Sequence, residues 1–275
     1  MGYRSFGRAR TGAAAEAIFN QTNRRPKMSQ FVADFESYMP DEFDGKPYGP
    51  AGLLANADEA GIDVSVVFQG GVPDDPRPGN AAVLDAVEGE PRILPGCLVN
   101  PTMGPDALAD LESCVRRGAR TVKLMAAGHR YRLDSAAVDP VMDLARSLGI
   151  TATIHSGSHM SGCAPEYIAH IARNHPEVTI IMDHMGYREW VRSAVQAAQE
   201  NANIYLGTTL IAAAEPFTIS GIVQSGELGA DRIVFGSNAP AGIATHGVNG
   251  IRMAGFSEED EALVLGENMR VIYDL

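Results

Sequence analysis

The sequence is short of cysteine, of long apolar runs and of basic charge, and each shortage narrows the field. Cys97, Cys114 and Cys163 are an odd number with no C-x-x-C spacing, which suggests buried or inert thiols in a reducing, cytoplasmic setting. No apolar run approaches the length of a membrane span. A net charge of −12 argues against a general nucleic-acid binder. The start has no hydrophobic signal-peptide core. Residues 1–27 hold six basic residues against the single acidic Glu16, and a flexible extension ahead of Met28 is the expectation for them.

What is present is a regular alternation from Met28 onward. Apolar and polar residues alternate in Gln30 to Glu36, which predicts a first strand with Asp34 and Glu36 on one face. Seven more strands follow: Asp63 to Phe68, Ile93 to Val99, Thr121 to Met125, Ile150 to His155, Val178 to His184, Asn203 to Gly207 and Arg232 to Phe235. Helical stretches separate them, several stopped by glycine at Gly61, Gly118 and Gly149. Eight strands alternating with helices over 28–275 predict one (β/α)8 TIM barrel. The competing open doubly wound sheet normally carries a Gly-rich phosphate loop after its first strand, and Asp34-Phe35-Glu36-Ser37 is not one.

Barrel enzymes work at the C-terminal ends of their strands. Five of the seven histidines fall there: His129, His155, His159, His184 and His246. The acidic pair Asp34 and Glu36 ends strand one, and Lys123 has an inward option within strand four. Asp183, opposite in parity to His184, is expected to face the helix layer.

The chain from Met28 to Leu275 resembles the amidohydrolase-related proteins of the amidohydrolase superfamily. The resemblance rests on Asp58-Glu-Ala-Gly-Ile-Asp63, Val122-Lys-Leu124, Ile154-His-Ser-Gly157, Asp183-His-Met-Gly186, Phe235-Gly-Ser-Asn-Ala-Pro240 and Leu265-Gly-Glu-Asn268. It implies a metal-dependent hydrolase or decarboxylase acting on a small carboxylated or cyclic substrate, and it leaves a homodimer open. Carried over by motif, the metal ligands fall on Asp34, Glu36 and His155. The catalytic positions fall on His155, His184 and Asn238, with His184 as acid/base. Lys123, Arg130, Arg132, His159 and His246 are candidate substrate-binding residues.

Three of the five principal positions depart from the family pattern. Asp34 and Glu36 stand where imidazoles are usual, and Asn238 stands where a carboxylate is usual. An oxygen-rich set suits Mn, Mg or Fe(II), and Zn remains within its range. An amide at 238 takes no proton, which passes that task to His184. Two other readings stay open at this point. One is a metal-free lyase, lactonase or cyclase using His155 and His184, with Lys123 pairing the acids in place of an ion. The other is a binding barrel without chemistry.

Overall fold

The structure, a computed structural model, describes residues 30–157 and 161–275. The basic segment 1–27 and His159 lie outside the described residues. The chain falls into two units, Met1–Gln30 and Phe31–Leu275, and the barrel is the second.

Eight parallel strands follow one another around it: β1 (Ala33–Met39), β2 (Val64–Gln69), β3 (Ile93–Val99), β4 (Thr121–Leu124), β5 (Thr151–His155), β6 (Ile180–Asp183), β7 (Ile204–Gly207) and β8 (Ile233–Val234). The seam between β8 and β1 is bridged by backbone bonds from Phe35 N to Phe235 O (3.0 Å), Asn238 N to Glu36 O (2.9 Å) and Tyr38 N to Ala239 O (2.7 Å). The longer helices are α1 (Gly49–Ala60), α2 (Arg77–Ala86), α3 (Pro105–Arg116), α4 (Val138–Leu148), α5 (Pro165–Asn174), α6 (Tyr187–Glu200), α7 (Pro216–Gln224) and α8 (Ala244–Met253). This is the (β/α)8 barrel that the alternation predicted.

Period-two alternation sorts the core into two parts. Val122, Ala152, Ile154, Ile180 and Met182 point outward and pack against the helices. Phe35, Val66, Phe68, Ile181 and Val234 fill the lumen, with Met269 and Tyr273 of the C-terminal helix Asn268–Tyr273 completing that cluster. The Phe35 ring reaches the lumen only because β7 and the end of β8 offer glycine. A Cβ on Gly207 would stand 2.3 Å from Phe35 Cζ, and one on Gly236 would stand 2.4 Å from Phe35 Cε1.

The predicted helix stops hold at Gly61 (φ 70°) and Gly149 (φ 66°), both left-handed caps whose amides close the last turn. Ser257 caps the helix after it, its Oγ accepting from Asp260 N at 3.1 Å. The three cysteines are free and buried.

Candidate active site

A β-bulge in β1 reorganises the acidic pair. Asp34 pairs with Ser65 and Ser37 with Val67, so Phe35 and Glu36 together face only one partner residue of β2. One extra residue in a strand shifts the alternation that follows. The expected shared face is therefore lost. Asp34 looks outward, lining the gap toward Leu53, Asn56 and Ala57 of α1. Its carboxylate accepts from Glu36 N (2.9 Å), Ser237 N (2.9 Å) and Ser237 Oγ (2.5 Å). Burial pushes its pKa up to about 7, with the Ser237 bonds opposing.

Glu36 turns into the lumen, where it meets Lys123. The Lys123 ammonium donates to Glu36 Oε1 and, at 2.9 Å, to Asp183 Oδ2, with all three side chains fully buried. Tyr38 Oη also donates to Glu36 Oε1, and Thr209 Oγ1 donates to Glu36 Oε2 at 2.9 Å. The rings of Phe68 and Tyr38 cover the ammonium, their centroids 5.2 and 5.6 Å from Nζ. One cation stands between two acids, so burial acts against the second negative charge. Glu36 bears that cost: burial, then Asp183, hold it well above the usual carboxylate range, with Lys123 opposing. For Asp183 burial also pushes upward, but His184 and Lys123 outweigh it and hold it well below. Burial works against the Lys123 charge, yet Asp183 and Glu36 prevail and raise it.

Asp183 corrects a second expectation. Register pairs His155 with Asp183 across β5 and β6, so both point into the mouth, and the strand ends one residue before His184. His184 opens a short turn with φ 57°, followed by Met185 at 39°. That turn folds the His184 ring back against His155, edge to face with centroids 4.8 Å apart. Ser156 Oγ bonds Asp183 O (2.5 Å) and accepts from Gly186 N (2.9 Å), holding the turn to β5.

Both nitrogens of His184 face acceptors. Nδ1 lies 3.2 Å from Thr209 O, and Nε2 lies 3.2 Å from Asp183 Oδ2. A neutral imidazole has one N–H, so either tautomer leaves a lone pair against an oxygen. A proton would settle this, but burial pushes His184 down to about 4 despite Asp183. His155 Nδ1 lies 3.6 Å from the same Asp183 oxygen. Both His155 Nδ1 and Asp183 Oδ1 are buried without a hydrogen-bond partner.

These atoms fit a divalent ion. Donors held about 2.0–2.2 Å from a metal, at tetrahedral or octahedral angles, lie roughly 2.8–3.6 Å apart. The two edges of the cluster, 3.2 and 3.6 Å, fall in that range. Among the described residues, two groups gather three such donors, His155 with Asp183 and His184, and Cys97 with Asp110 and Cys114. Asp34 and Glu36 are in neither.

The other candidates are dispersed. Asn238 (φ 60°) is anchored through Glu36 O (2.9 Å) and Gly242 N (2.7 Å), and it borders a cavity at the mouth. Arg130 pairs with Asp74 at 2.7 Å, and Arg132 with Asp134 at 2.8 Å and Tyr167 Oη at 2.7 Å, all exposed. His246 is exposed on α8. His129 is buried, its Nε2 against Pro73 O at 3.0 Å. Asp183, Tyr38 and Thr209 escaped the sequence reading. The Asp183-His184 dipeptide was a signal for the first, and nothing in the alternation pointed to the other two.

A model of the amidohydrolase family matches residues 17–275. The chain belongs to the amidohydrolase family. The match begins ahead of Met28, where the sequence reading had placed the barrel's start. No curated protein matches. Among solved structures, 5-carboxyvanillate decarboxylase from Sphingomonas paucimobilis superposes with a TM-score of 0.70 at 14% identity, covering 90% of this chain and 99% of its own. The same enzyme from Novosphingobium aromaticivorans, complexed with manganese and a nitrobenzoic acid, gives 0.71 at 14% over 91% and 98%. A probable 2-pyrone-4,6-dicarboxylic acid hydrolase from Acinetobacter baumannii gives 0.66 at 13% over 89% and 99%. At such identities the likeness is one of fold.

Proposed function

We propose that this amidohydrolase-family chain is a metal-dependent hydrolase or decarboxylase of small molecules, working at His155, Asp183 and His184. The observation that carries the reading is the His184 ring, caught between Thr209 O and Asp183 Oδ2 with too few protons for both. Two imidazoles and one carboxylate suit Zn, Mn or Fe(II). A bound ion of this kind supplies Lewis-acid polarisation of a carbonyl or carboxylate oxygen. The solved relatives named for decarboxylation and hydrolysis, one of them holding manganese, support both reaction types.

The chain's own residues do the rest. Thr209 O accepts the Nδ1 proton of His184, which fixes the tautomer and turns the Nε2 lone pair toward the mouth. With its pKa pushed down to about 4, His184 is neutral at pH 7, and its Nε2 lone pair is the one that would hold the ion, which leaves it no free site for a proton. Lys123 keeps Asp183 ionised. Asn238 offers an amide to the substrate but no base.

A second reading is favoured by one specific feature: Lys123 already bonds both Glu36 and Asp183, as a built-in cation would. In that case the site runs without metal. Elemental analysis of protein purified without chelator separates the two. The expected result is one divalent ion per chain, weakly held because Lys123 competes for Asp183, and lost in both His155→Ala and His184→Ala. Full activity in chelated, metal-free protein would establish the second reading instead.

A further inference from the structure

A cavity of about 300 Å³ opens at the barrel mouth between the ends of β1, β2, β4 and β8. This is at the lower end of volumes that hold small organic ligands. Pro40, Phe43, Val72, Met125, Pro240 and Ala241 form most of its wall. The Tyr38 ring forms another part, and its hydroxyl is turned away into the Glu36 carboxylate. No charged side chain lines the cavity among the described residues.

Lys123 is fully buried, bonded to Glu36 and Asp183, and roofed by Tyr38 and Phe68, and Lys46, which pairs with the wall residue Phe43 in a short hairpin, is exposed and outside the wall. The two arginines expected to bind substrate are paired to Asp74 and Asp134 on the surface, and neither borders the cavity. One polar side chain does border it with no partner of its own: Asn238, half-buried, whose backbone is fixed at both ends while its amide is free.

We infer that this cavity takes the non-reacting body of the substrate, that this body is an uncharged apolar ring, and that the Asn238 amide selects it by hydrogen-bonding one neutral polar group. The inference deepens the proposed function and rests on it for the reaction, though not for the binding. An amide matches a carbonyl, hydroxyl or amide on the ligand through both a donor and an acceptor. A carboxylate brought into the same walls would lose water with no cation in the described wall to pair it. Charge selection here comes from what the walls omit, so the expected substrates are cyclic esters or amides, or aromatic acids whose single carboxylate is the reacting group, rather than diacids.

The test is calorimetric binding of acetanilide and of 4-acetamidobenzoate, which differ by one carboxylate on the ring. Both metal-loaded and chelated protein are titrated. In chelated protein acetanilide is expected to bind at least about tenfold more tightly, the scale of one uncompensated charge at a wall. Asn238→Leu is expected to weaken acetanilide binding by about five- to tenfold, the loss of one hydrogen bond. Ala241→Arg, which adds a guanidinium at the exposed rim, is expected to narrow or invert the preference.

Equal or tighter binding of the carboxylate by the unaltered chelated protein, or no saturable binding of either compound, would overturn the inference. Because binding is read directly, a chain that takes up no divalent ion when one is supplied, yet keeps this selectivity, would sink the proposed function and leave this inference standing.

Discussion

Removing the Lys123 ammonium would leave Asp183 a buried carboxylate without its cation, beside Glu36 and beneath two aromatic rings. Truncating one partner of a buried ion pair typically costs about 3–5 kcal/mol, and Lys123→Met should fall in that range by urea unfolding at pH 8. The deficit should shrink at pH 5, because an unpaired buried acid takes up a proton more readily as pH falls. A deficit that stayed constant across that interval would mean the loss is one of packing. Asp34 makes a separate pH statement. Its folded pKa, about 7 against an ordinary 3.8, means the folded state retains a proton that the unfolded chain releases. Its contribution is therefore complete below pH 3.8 and is lost as pH rises through 7, at most about 4 kcal/mol over the interval. Asp34→Asn, which does not titrate, should flatten the dependence of stability on pH between 4 and 7. Urea midpoints for the two proteins at several pH values measure the difference.

The elements show where sequence patterning succeeds and where it slips. Helix ends at Gly61 and Gly149 were legible because a left-handed cap has a residue requirement that glycine meets. The position of β1 was not. The alternation placed it at Gln30 to Glu36, but the strand runs Ala33–Met39, and its bulge breaks the period on which the reading relied. Asp34 and Glu36 consequently took opposite faces, since a bulge is set by partner register rather than by local composition. Asp183 was misjudged for a related reason: the strand was read one residue too far, and the positive-φ turn at His184 restores that histidine to the mouth. The glycines at 207 and 236 belong to the same scale. Each lets the Phe35 ring pack closely over β7 and the end of β8, so Gly207→Ala and Gly236→Ala should each cost about 1–3 kcal/mol, the usual range for overpacking. Phe35→Leu is expected to recover part of that loss in the double variants, because it withdraws the ring that the added methyl meets. A purely additive double-mutant cycle would show that the ring and the glycines are not coupled.

Across the whole molecule, chain topology brought the distant candidates together and left the near ones apart. His155, His184 and Lys123 meet because consecutive barrel strands deliver their ends to one mouth, a consequence of fold class that periodicity alone revealed. Arg130, Arg132 and His246 sit on loops and a helix whose orientation no period encodes, and each ends on the surface. The same topology separates folding from metal binding. Lys123 balances the buried acids, and the lumen is packed by Phe35, Phe68 and Tyr273, so the barrel has no need of an ion to close. An ion held at His155, Asp183 and His184 should then stabilise only by mass action, about 2.7 kcal/mol at a hundredfold excess over its Kd. For a chain of this size that raises Tm by no more than about 10 °C. Chelated protein is thus expected to retain a cooperative thermal transition and its far-ultraviolet circular dichroism, while turnover is lost and returns on adding Mn²⁺ or Zn²⁺. If chelation instead abolishes the transition, the ion is part of the fold, and Lys123 does not by itself close the charge balance of the lumen.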